Sequence, residues 1–231
     1  MEQASEQGIL TQKGLAVLHL FTKVEGSADR GIVEQAVKQA VADGNQVVPV
    51  AILGHKADLA FMLLGDDPWS QRRFQSRIQC AGLKVSESFV SMTELSEYAA
   101  GVPEQMRQAR LFPELPPEGK LAYCFYPMTK RRDPEQNWYA LGYDEREQLM
   151  RQHGKSGRAF AGKVTQVVTG STGLDDWEWG VTLFGLSLGD LKDCVYTMRF
   201  DEASTHYAEF GPFYTGMVGS LEQVLDELLG S

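Results

Sequence analysis

The second half of the sequence repeats the order of structural signals found in the first half. The segments DLAFMLLGDDPWSQRRFQSRI and EWGVTLFGLSLGDLKDCVYTM each contain a predicted strand, a glycine and a predicted helix, and Gly65 matches Gly185 at an offset of 120. Around each segment the signals run strand, helix, strand, strand, helix, strand, which is the order of a ferredoxin-like unit. The chain is therefore predicted to contain two such units.

Two ferredoxin-like units each leave one sheet face exposed unless the two sheets pack together. We therefore predict an α+β fold in which the two halves form a dimeric α+β barrel-type fold within one chain, with the helices outside. The predicted N-terminal half covers residues 1–96 and the C-terminal half residues 120–231. Residues 97–119 contain four of the nine prolines and are predicted to be a connector with little regular structure.

Several helix limits can be predicted from the sequence. Asp29 has the position of an N-cap, and Pro68 is typical of the first residue of a helix. The segment DEREQLMRQHG predicts a helix that ends close to His153, and residues 190–208 are predicted to form a single helix. The segment SLEQVLDELLG predicts a last helix.

Composition excludes several classes of function. A net charge of -9 repels phosphate backbones, so we expect no nucleic-acid partner. Cys80, Cys124 and Cys194 are odd in number and far apart, which argues against a disulfide framework and a thiolate metal site. The sequence lacks a long apolar window and the features of a signal peptide, so we expect a soluble cytoplasmic protein without membrane insertion.

Two predicted strands carry polar side chains among small or apolar residues. In KLAYCFYPM, Tyr126 shares a face with Ala122 and Cys124, which leaves room for a flat molecule; an ordinary half-buried tyrosine fits equally, and Met128 fits simple packing. In KVTQVVTG, Gln166 alternates with valines, so its amide is either satisfied by nearby backbone or directed into a polar pocket.

Basic residues and one histidine allow two interpretations each. The segment KRR at 130–132 is typical of a solvated turn, yet Arg199 follows an apolar helical stripe, and several cations near an apolar cavity would suit a ligand with multiple carboxylates. His153 precedes Gly154, which is typical of a helix C-terminus; a neutral imidazole is also a ligand for haem iron. Composition and periodicity leave both interpretations open.

Four longer segments resemble a known family. YPMTKRR, NWY, HGKSGRAFAGKVTQVVTGSTGLDDWEWGVTLF and YTMRFDEASTHYAEFGPFYTG are similar to the chlorite dismutase-like superfamily, and specifically to its coprohaem decarboxylases, also called HemQ. The resemblance covers most of residues 120–216, and LGHKADLAFMLLG in the first half is a weaker match. It implies two ferredoxin-like halves and a haem site in the second half.

The resemblance also implies a role for each matching residue. His153 would be the axial ligand of the iron, Tyr126 would become a radical, Lys130 would act beside the reacting propionate, and Gln166 would lie on the distal side of the iron. The remaining matches lie where the family holds propionates or contacts the macrocycle: Arg131, Arg199 and Ser204 for propionates, and Met128 and Trp177 near the ring. Phe89 stands near the position of a propionate-binding tyrosine in some members.

The activity implied by the resemblance is a peroxide-dependent oxidative decarboxylation. Coprohaem III would lose CO2 from two propionates, which become vinyl groups, and haem b would form with hydrogen peroxide as the oxidant. The resemblance further implies a homopentamer and a transient contact with ferrochelatase.

Two alternative functions are a chlorite dismutase and a haem-binding protein without turnover. Chlorite dismutases carry an arginine at the distal position where this chain has Gln166, and the presence of Tyr126 and Lys130 argues against a protein without turnover.

Overall fold

The computed structural model describes residues 11–99 and 101–230. The first half contains four strands and two helices in the order expected of a ferredoxin-like unit: β1 (Lys13–Val24), α1 (Arg30–Ala42), β2 (Gln46–Leu53), β3 (Leu59–Gly65), α2 (Pro68–Cys80) and β4 (Leu83–Glu94). Asp29 caps α1 by accepting a hydrogen bond from the backbone N–H of Ile32 at 3.0 Å. Pro68 is the first residue of α2, as predicted.

The second half repeats this order with additions around the same core. Its elements are β5 (Ala122–Lys130), β6 (Arg132–Asp133), β7 (Gln136–Asn137), a short 3-10 helix (Trp138–Ala140), α4 (Tyr143–Arg158), β8 (Val164–Gly170), β9 (Trp179–Gly185), α5 (Leu188–Met198), α6 (Glu202–Tyr207), β10 (Ala208–Phe210), β11 (Tyr214–Val218) and α7 (Leu221–Leu229). A further helix, α3 (Glu104–Leu111), lies between the two halves.

Eight antiparallel strands close into a barrel. The first half has the order β2-β3-β1-β4 and the second has the order β8-β9-β5-β11, and both are the order of a ferredoxin-like sheet. Pairing of β4 with β8 and of β11 with β2 joins the halves. The prediction of two ferredoxin-like halves in an α+β barrel is therefore confirmed. β10 pairs with β5 beyond the end of β11 and extends the sheet.

The repeated glycines occupy equivalent positions. Gly65 ends β3 opposite Ala16, and Gly185 ends β9 opposite Ala122. A Cβ atom would lie 2.4 Å from the side-chain oxygen of Asn45 at Gly65 and 2.7 Å from a methyl carbon of Leu191 at Gly185. Close packing therefore excludes a larger side chain at both positions of the repeat.

Aromatic side chains fill the interior of the barrel. The ring of Phe21 lies 3.9 Å from that of Tyr214 and 5.4 Å from that of Phe125, measured between centroids. His19 is fully buried beside them, 4.3 Å from Phe125. These contacts connect strands of both halves into one core.

Three sequence-based expectations about regular structure are wrong. The connector contains the helix α3. The single helix predicted over 190–208 is two helices, because the chain turns at Arg199–Asp201 and Asp201 caps the second helix. α4 continues through Gly154 to Arg158, so His153 is not in the last turn and does not act as its C-terminal residue. Among the described residues, no helix has the length and apolar character needed to cross a membrane.

Candidate functional site

The outer face of the second-half sheet carries the first group of candidate residues. Tyr126, Met128 and Lys130 alternate along β5 and therefore point to the same side of the sheet. Across the sheet, Tyr126 pairs with Val181 of β9, which in turn pairs with Val168 of β8. α5 covers part of this face.

Tyr126 lies in an aromatic stack at the N-terminal end of β11. Its ring is stacked on Phe213 with a centroid distance of 4.5 Å, and Phe210 lies 5.8 Å away. The guanidinium group of Arg199 lies 3.7 Å from the centre of the Phe210 ring, which is a favourable cation–π distance. Burial raises the pKa of Tyr126 well above its ordinary value, so the phenol stays protonated at neutral pH.

Lys130 is a buried lysine held between α6 and the 3-10 helix. Its ammonium group donates to the backbone carbonyl of Ala203 at 3.2 Å and lies 4.1 Å from the centre of a Trp138 ring. Burial lowers the pKa of Lys130 to about 8, and the nearby carboxylates of Asp201 and Glu178 oppose that shift. A lysine with this pKa exchanges a proton near neutral pH more readily than a solvated one.

His153 of α4 faces the start of α6. Its Nδ1 atom lies 3.1 Å from the carboxylate of Asp201. Burial raises the pKa of Asp201, but its contacts with His153 and Ser204 lower it more strongly, so the net pKa is below the ordinary value. An ionised carboxylate at Nδ1 favours the tautomer with the proton there, which leaves Nε2 as an acceptor or a metal ligand.

Asp201 connects His153 to the other residues of the site. It accepts hydrogen bonds from the backbone N–H of Ser204 at 3.0 Å and from its hydroxyl group at 3.1 Å. Its charge also acts on Lys130. β5, α4 and α6 therefore bring Lys130 and His153 close to Asp201, and Tyr126 shares the face of β5 that carries Lys130.

Part of the same sheet face is left open. Gln166 is exposed and Val168 is 43% exposed, although both lie on the outer face of β8. α4, which corresponds to α1 in the repeat, buries Leu149 against Trp138 and Ala203 instead of covering β8. The Gln166 amide is therefore open to solvent and not enclosed by the neighbouring valines, because no helix of the described residues covers that part of the strand.

Trp177 and Phe89 lie on the opposite side of the sheet from Tyr126. Phe89 is buried in the barrel interior, and Trp177 packs against the same core. Both line a cavity of about 80 Å³ at the barrel mouth with Phe125 and Tyr214. Phe89 thus faces the core and not the face that carries Tyr126, and Trp177 is not brought together with the other candidates.

Arg131 follows Lys130 directly in the chain. Its guanidinium donates to the side chain of Gln136 at 2.8 Å, while its Nε atom is buried and forms a long ion pair, 4.0 Å from a carboxylate oxygen of Glu209. Because 4.0 Å is too long for a hydrogen bond, the Nε–H group can still donate to an additional acceptor.

A family profile described as chlorite dismutase matches residues 28–219. The chain belongs to the chlorite dismutase family. Among solved structures, one described as a heme-binding protein from Thermus thermophilus superposes with a TM-score of 0.85 at 36% identity, covering 96% of this chain and 97% of that one. A chlorite dismutase from Candidatus Nitrospira defluvii in complex with imidazole superposes with a TM-score of 0.78 at 21% identity, covering 97% and 98% of the two chains, which is evidence for the fold alone.

A curated relative in this family comes from Natronomonas pharaonis and is named as a heme-binding protein. It is 39% identical over 240 residues, which include 89% of this chain. The chain spans 39% of the length of that relative.

Two polar residues of the candidate site were not recognised in the sequence. Asp201 has a detectable signal, because an aspartate three residues before Ser204 is typical of a helix N-cap. Glu178 lacks such a signal: it accepts hydrogen bonds from the hydroxyl of Tyr139 at 2.7 Å and from the backbone N–H of Lys130 at 2.8 Å, and these contacts depend on the tertiary fold.

Proposed function

We propose that this chain binds coprohaem III and converts it to haem b by hydrogen peroxide-dependent oxidative decarboxylation. The observation that carries the proposal is a buried tyrosine and a buried lysine on one strand face, with the lysine near Asp201, which in turn contacts His153. Family membership supports a haem-type ligand, since relatives in Thermus thermophilus and Natronomonas pharaonis are named as heme-binding proteins.

The residues present fit a haem macrocycle. The exposed apolar surface at Val168 suits a flat apolar ligand, and His153 has Nε2 directed away from its carboxylate contact. Arg199 is exposed, and the Nε atom of Arg131 has no acceptor within hydrogen-bond distance among residues 11–99 and 101–230, although Glu209 lies 4.0 Å away. In the proposal His153 coordinates the iron, while Arg131, Arg199 and Ser204 hold propionates.

Further roles in the proposal follow from surroundings and side-chain chemistry. Met128 extends the apolar surface beside Tyr126. Gln166 lies over the distal side, where its amide can donate a hydrogen bond but cannot act as an acid or base at neutral pH. Trp177 has no contact role in the proposal, because it packs on the barrel interior.

The bound coprohaem supplies the oxidising chemistry when it reacts with hydrogen peroxide. Tyr126 would give up the phenolic proton with one electron and then take hydrogen from the propionate carbon next to the ring. The remaining electron would pass to the oxidised coprohaem as CO2 leaves and the vinyl group forms. Lys130 orients the propionate carboxylate and takes part in proton exchange. Each round consumes one propionic acid group and one hydrogen peroxide and yields one vinyl group, one CO2 and two water molecules, so two rounds complete the conversion.

The proposal also includes the assembly and the transient partner implied by the family resemblance, together with the location expected from the sequence. These are a cytoplasmic homopentamer that makes a transient contact with ferrochelatase.

Mass spectrometry of the reaction is the direct test of the proposal. Purified protein with coprohaem and hydrogen peroxide is expected to give sequential loss of two carboxyl groups. The Tyr126→Phe variant is expected to bind coprohaem and give no haem b, because phenylalanine lacks the proton and electron that the phenol loses. Its free energy of unfolding is expected to change by less than about 1.5 kcal/mol. Full conversion by the variant would contradict the radical role of Tyr126.

A second variant tests the ligand role of His153. His153→Ala is expected to change the ferric absorption spectrum of the coprohaem complex while macrocycle binding is retained through the propionates and the apolar face. His206→Ala is the matched control, because His206 is exposed on α6. An unchanged spectrum in His153→Ala would leave iron coordination to another group.

The haem-binding relatives also support a second candidate function, binding without turnover. Retention of unreacted coprohaem by the unmodified protein in the presence of hydrogen peroxide would favour this candidate over the decarboxylase.

A further inference from the structure

The weaker family match in the first half, LGHKADLAFMLLG, includes the loop of the β2–β3 hairpin and all of β3, and this hairpin has no role in the proposed function so far. The hairpin is firmly held. The carboxylate of Asp58 accepts a hydrogen bond from the backbone N–H of Val24 at 2.9 Å, and the carbonyl of Lys56 accepts one from the hydroxyl of Ser86 at 3.2 Å. The backbone of Lys56 is therefore fixed relative to the barrel.

The side chain of Lys56 crosses from the first half to the second. Its ammonium group donates to the backbone carbonyl of Phe213 at 2.7 Å and lies 5.6 Å from the centre of the Tyr214 ring. Burial raises the pKa of Cys124 to about 12, and the charge of Lys56 acts against this shift. The ammonium group therefore lies at the start of β11, where the carbonyl of Phe213 precedes Tyr214.

Phe213 belongs to a bend that separates two strands on the same edge of β5. β10 ends at Phe210 and β11 begins at Tyr214. Gly211 donates its N–H to the carbonyl of Pro127 at 2.8 Å, and a Cβ atom there would lie 2.7 Å from the Pro127 ring. The bend is pinned to β5 at Gly211 and to the first half at Phe213.

The position of this bend matters because the Phe213 ring is stacked on Tyr126. We propose that Lys56 is a positioning residue: by holding the carbonyl of Phe213, the first half fixes the aromatic stack around Tyr126. Its catalytic consequence rests on the proposed radical role of Tyr126, whereas its structural consequence does not. Loss of the ammonium donor allows the bend to move and loosens the stack.

The first measurement uses the protein without ligand. Protein labelled with 3-fluorotyrosine gives a 19F resonance for Tyr126, which is assigned by its loss in Tyr126→Phe. Lys56→Met keeps most of the side-chain length and removes the donor, and we expect the Tyr126 resonance to move towards its position in Phe213→Leu, where the stack is absent. Lys56→Arg retains a donor and is expected to restore the resonance.

Lys84→Met is the matched control, because Lys84 is an exposed lysine of the first half paired with Glu25 at 2.7 Å. It is expected to leave the Tyr126 resonance in place. An unchanged Tyr126 resonance in Lys56→Met would overturn the proposal.

The second measurement separates positioning from substrate binding. With coprohaem and hydrogen peroxide, Lys56→Met is expected to lower kcat by roughly an order of magnitude, with the Kd for coprohaem unchanged. An unchanged kcat would overturn the catalytic consequence. If the unmodified protein gives no decarboxylation, the proposed function fails, while the 19F measurement still decides whether Lys56 holds the stack.

Discussion

The two halves of the barrel have the same strand order but cover their outer sheet faces differently. In the first half, one row across the sheet contains Pro49, Phe61 and Leu20; the equivalent row in the second half contains Val168, Val181 and Tyr126. The helix above the first row contributes Phe74, whose ring contacts Phe61 edge-on at 5.2 Å. The repeat offset of 120 places Cys194 at the position of Phe74.

Smaller side chains and a displaced helix therefore distinguish the second half. α1 buries Val33, Ala36 and Ala40 in the same cluster as Phe61 and Phe74. α4 packs at the corner formed by Trp138 and Ala203 and leaves part of β8 uncovered. In the first half, close packing of the outer layer stabilises the fold. In the second half, the outer face keeps space for the proposed ligand.

Truncation of the matched pair Phe74 and Cys194 tests this difference most strongly. Phe74→Ala is expected to lower the free energy of unfolding by about 4 kcal/mol, because it leaves a cavity in a closed layer. Cys194→Ala is expected to cost about 1 kcal/mol, since it removes one sulfur atom. Urea unfolding of both variants measures the two values. Equal costs would show that the two outer layers are packed alike.

Much of this fold was predictable from local patterns. The cap at Asp29 and Pro68 at the start of α2 depend on residues close together in the chain, and the repeat is recognised because each half carries the same order of such local signals. The break at Arg199–Asp201 was missed because the apolar spacing of Leu191 and Val195 predicts a continuing helix. The local signal that opposes it is the N-cap of Asp201 with Ser204, and the tertiary contact of Asp201 with His153 adds to that cap.

The candidate site was predictable only in part. Alternation along β5 correctly predicts a shared face for Tyr126 and its neighbours. The same alternation at Gln166 cannot show that α4 leaves the strand uncovered, because the position of a helix over a sheet depends on distant residues such as Trp138. The assignment of roles to His153, Lys130 and Gln166 remains a proposal.

The barrel interior offers a second test, at the pair His19 and Phe125. Register places His19 opposite Met62 in the first half and Phe125 opposite Thr182 in the second, and the imidazole contacts Thr182 at 3.0 Å. Burial lowers the pKa of His19 to about 3. The unfolded chain therefore binds a proton below about pH 6.5 that the folded chain does not bind until about pH 3, so stability falls as the pH falls through this range.

The expected size of this effect is about 3 kcal/mol between pH 7 and pH 4. Urea unfolding of the unmodified protein and of His19→Gln at the two pH values isolates the contribution of His19, because the carboxylates and the other histidines titrate in both proteins. The loss of stability between pH 7 and pH 4 is expected to be about 3 kcal/mol smaller in the glutamine variant than in the unmodified protein. The same loss in both proteins would show that His19 is not buried as a neutral imidazole.

Filling the open face of β8 is expected to have the smallest effect on free energy. Val168→Trp adds a bulky ring where coprohaem is proposed to lie and is expected to weaken coprohaem binding about tenfold, or about 1.4 kcal/mol. The free energy of unfolding is expected to stay within about 0.5 kcal/mol, because the position is open to solvent. Leu53→Trp is the control, since Leu53 is 53% exposed on β2. If coprohaem titration gives the same Kd for the unmodified protein and for both tryptophan variants, the proposed ligand does not lie against β8.

The covalent link between the two halves has a consequence for how the protein can change over time. A barrel built from two identical chains carries every substitution twice, because its two-fold symmetry makes both copies change together. Exchanging a phenylalanine for a cysteine would then loosen both outer layers at once. In a single chain the copies are independent, so Phe74 can be retained while position 194 becomes small. Loss of symmetry is thus what allows one barrel to have a stable side and a side open to change.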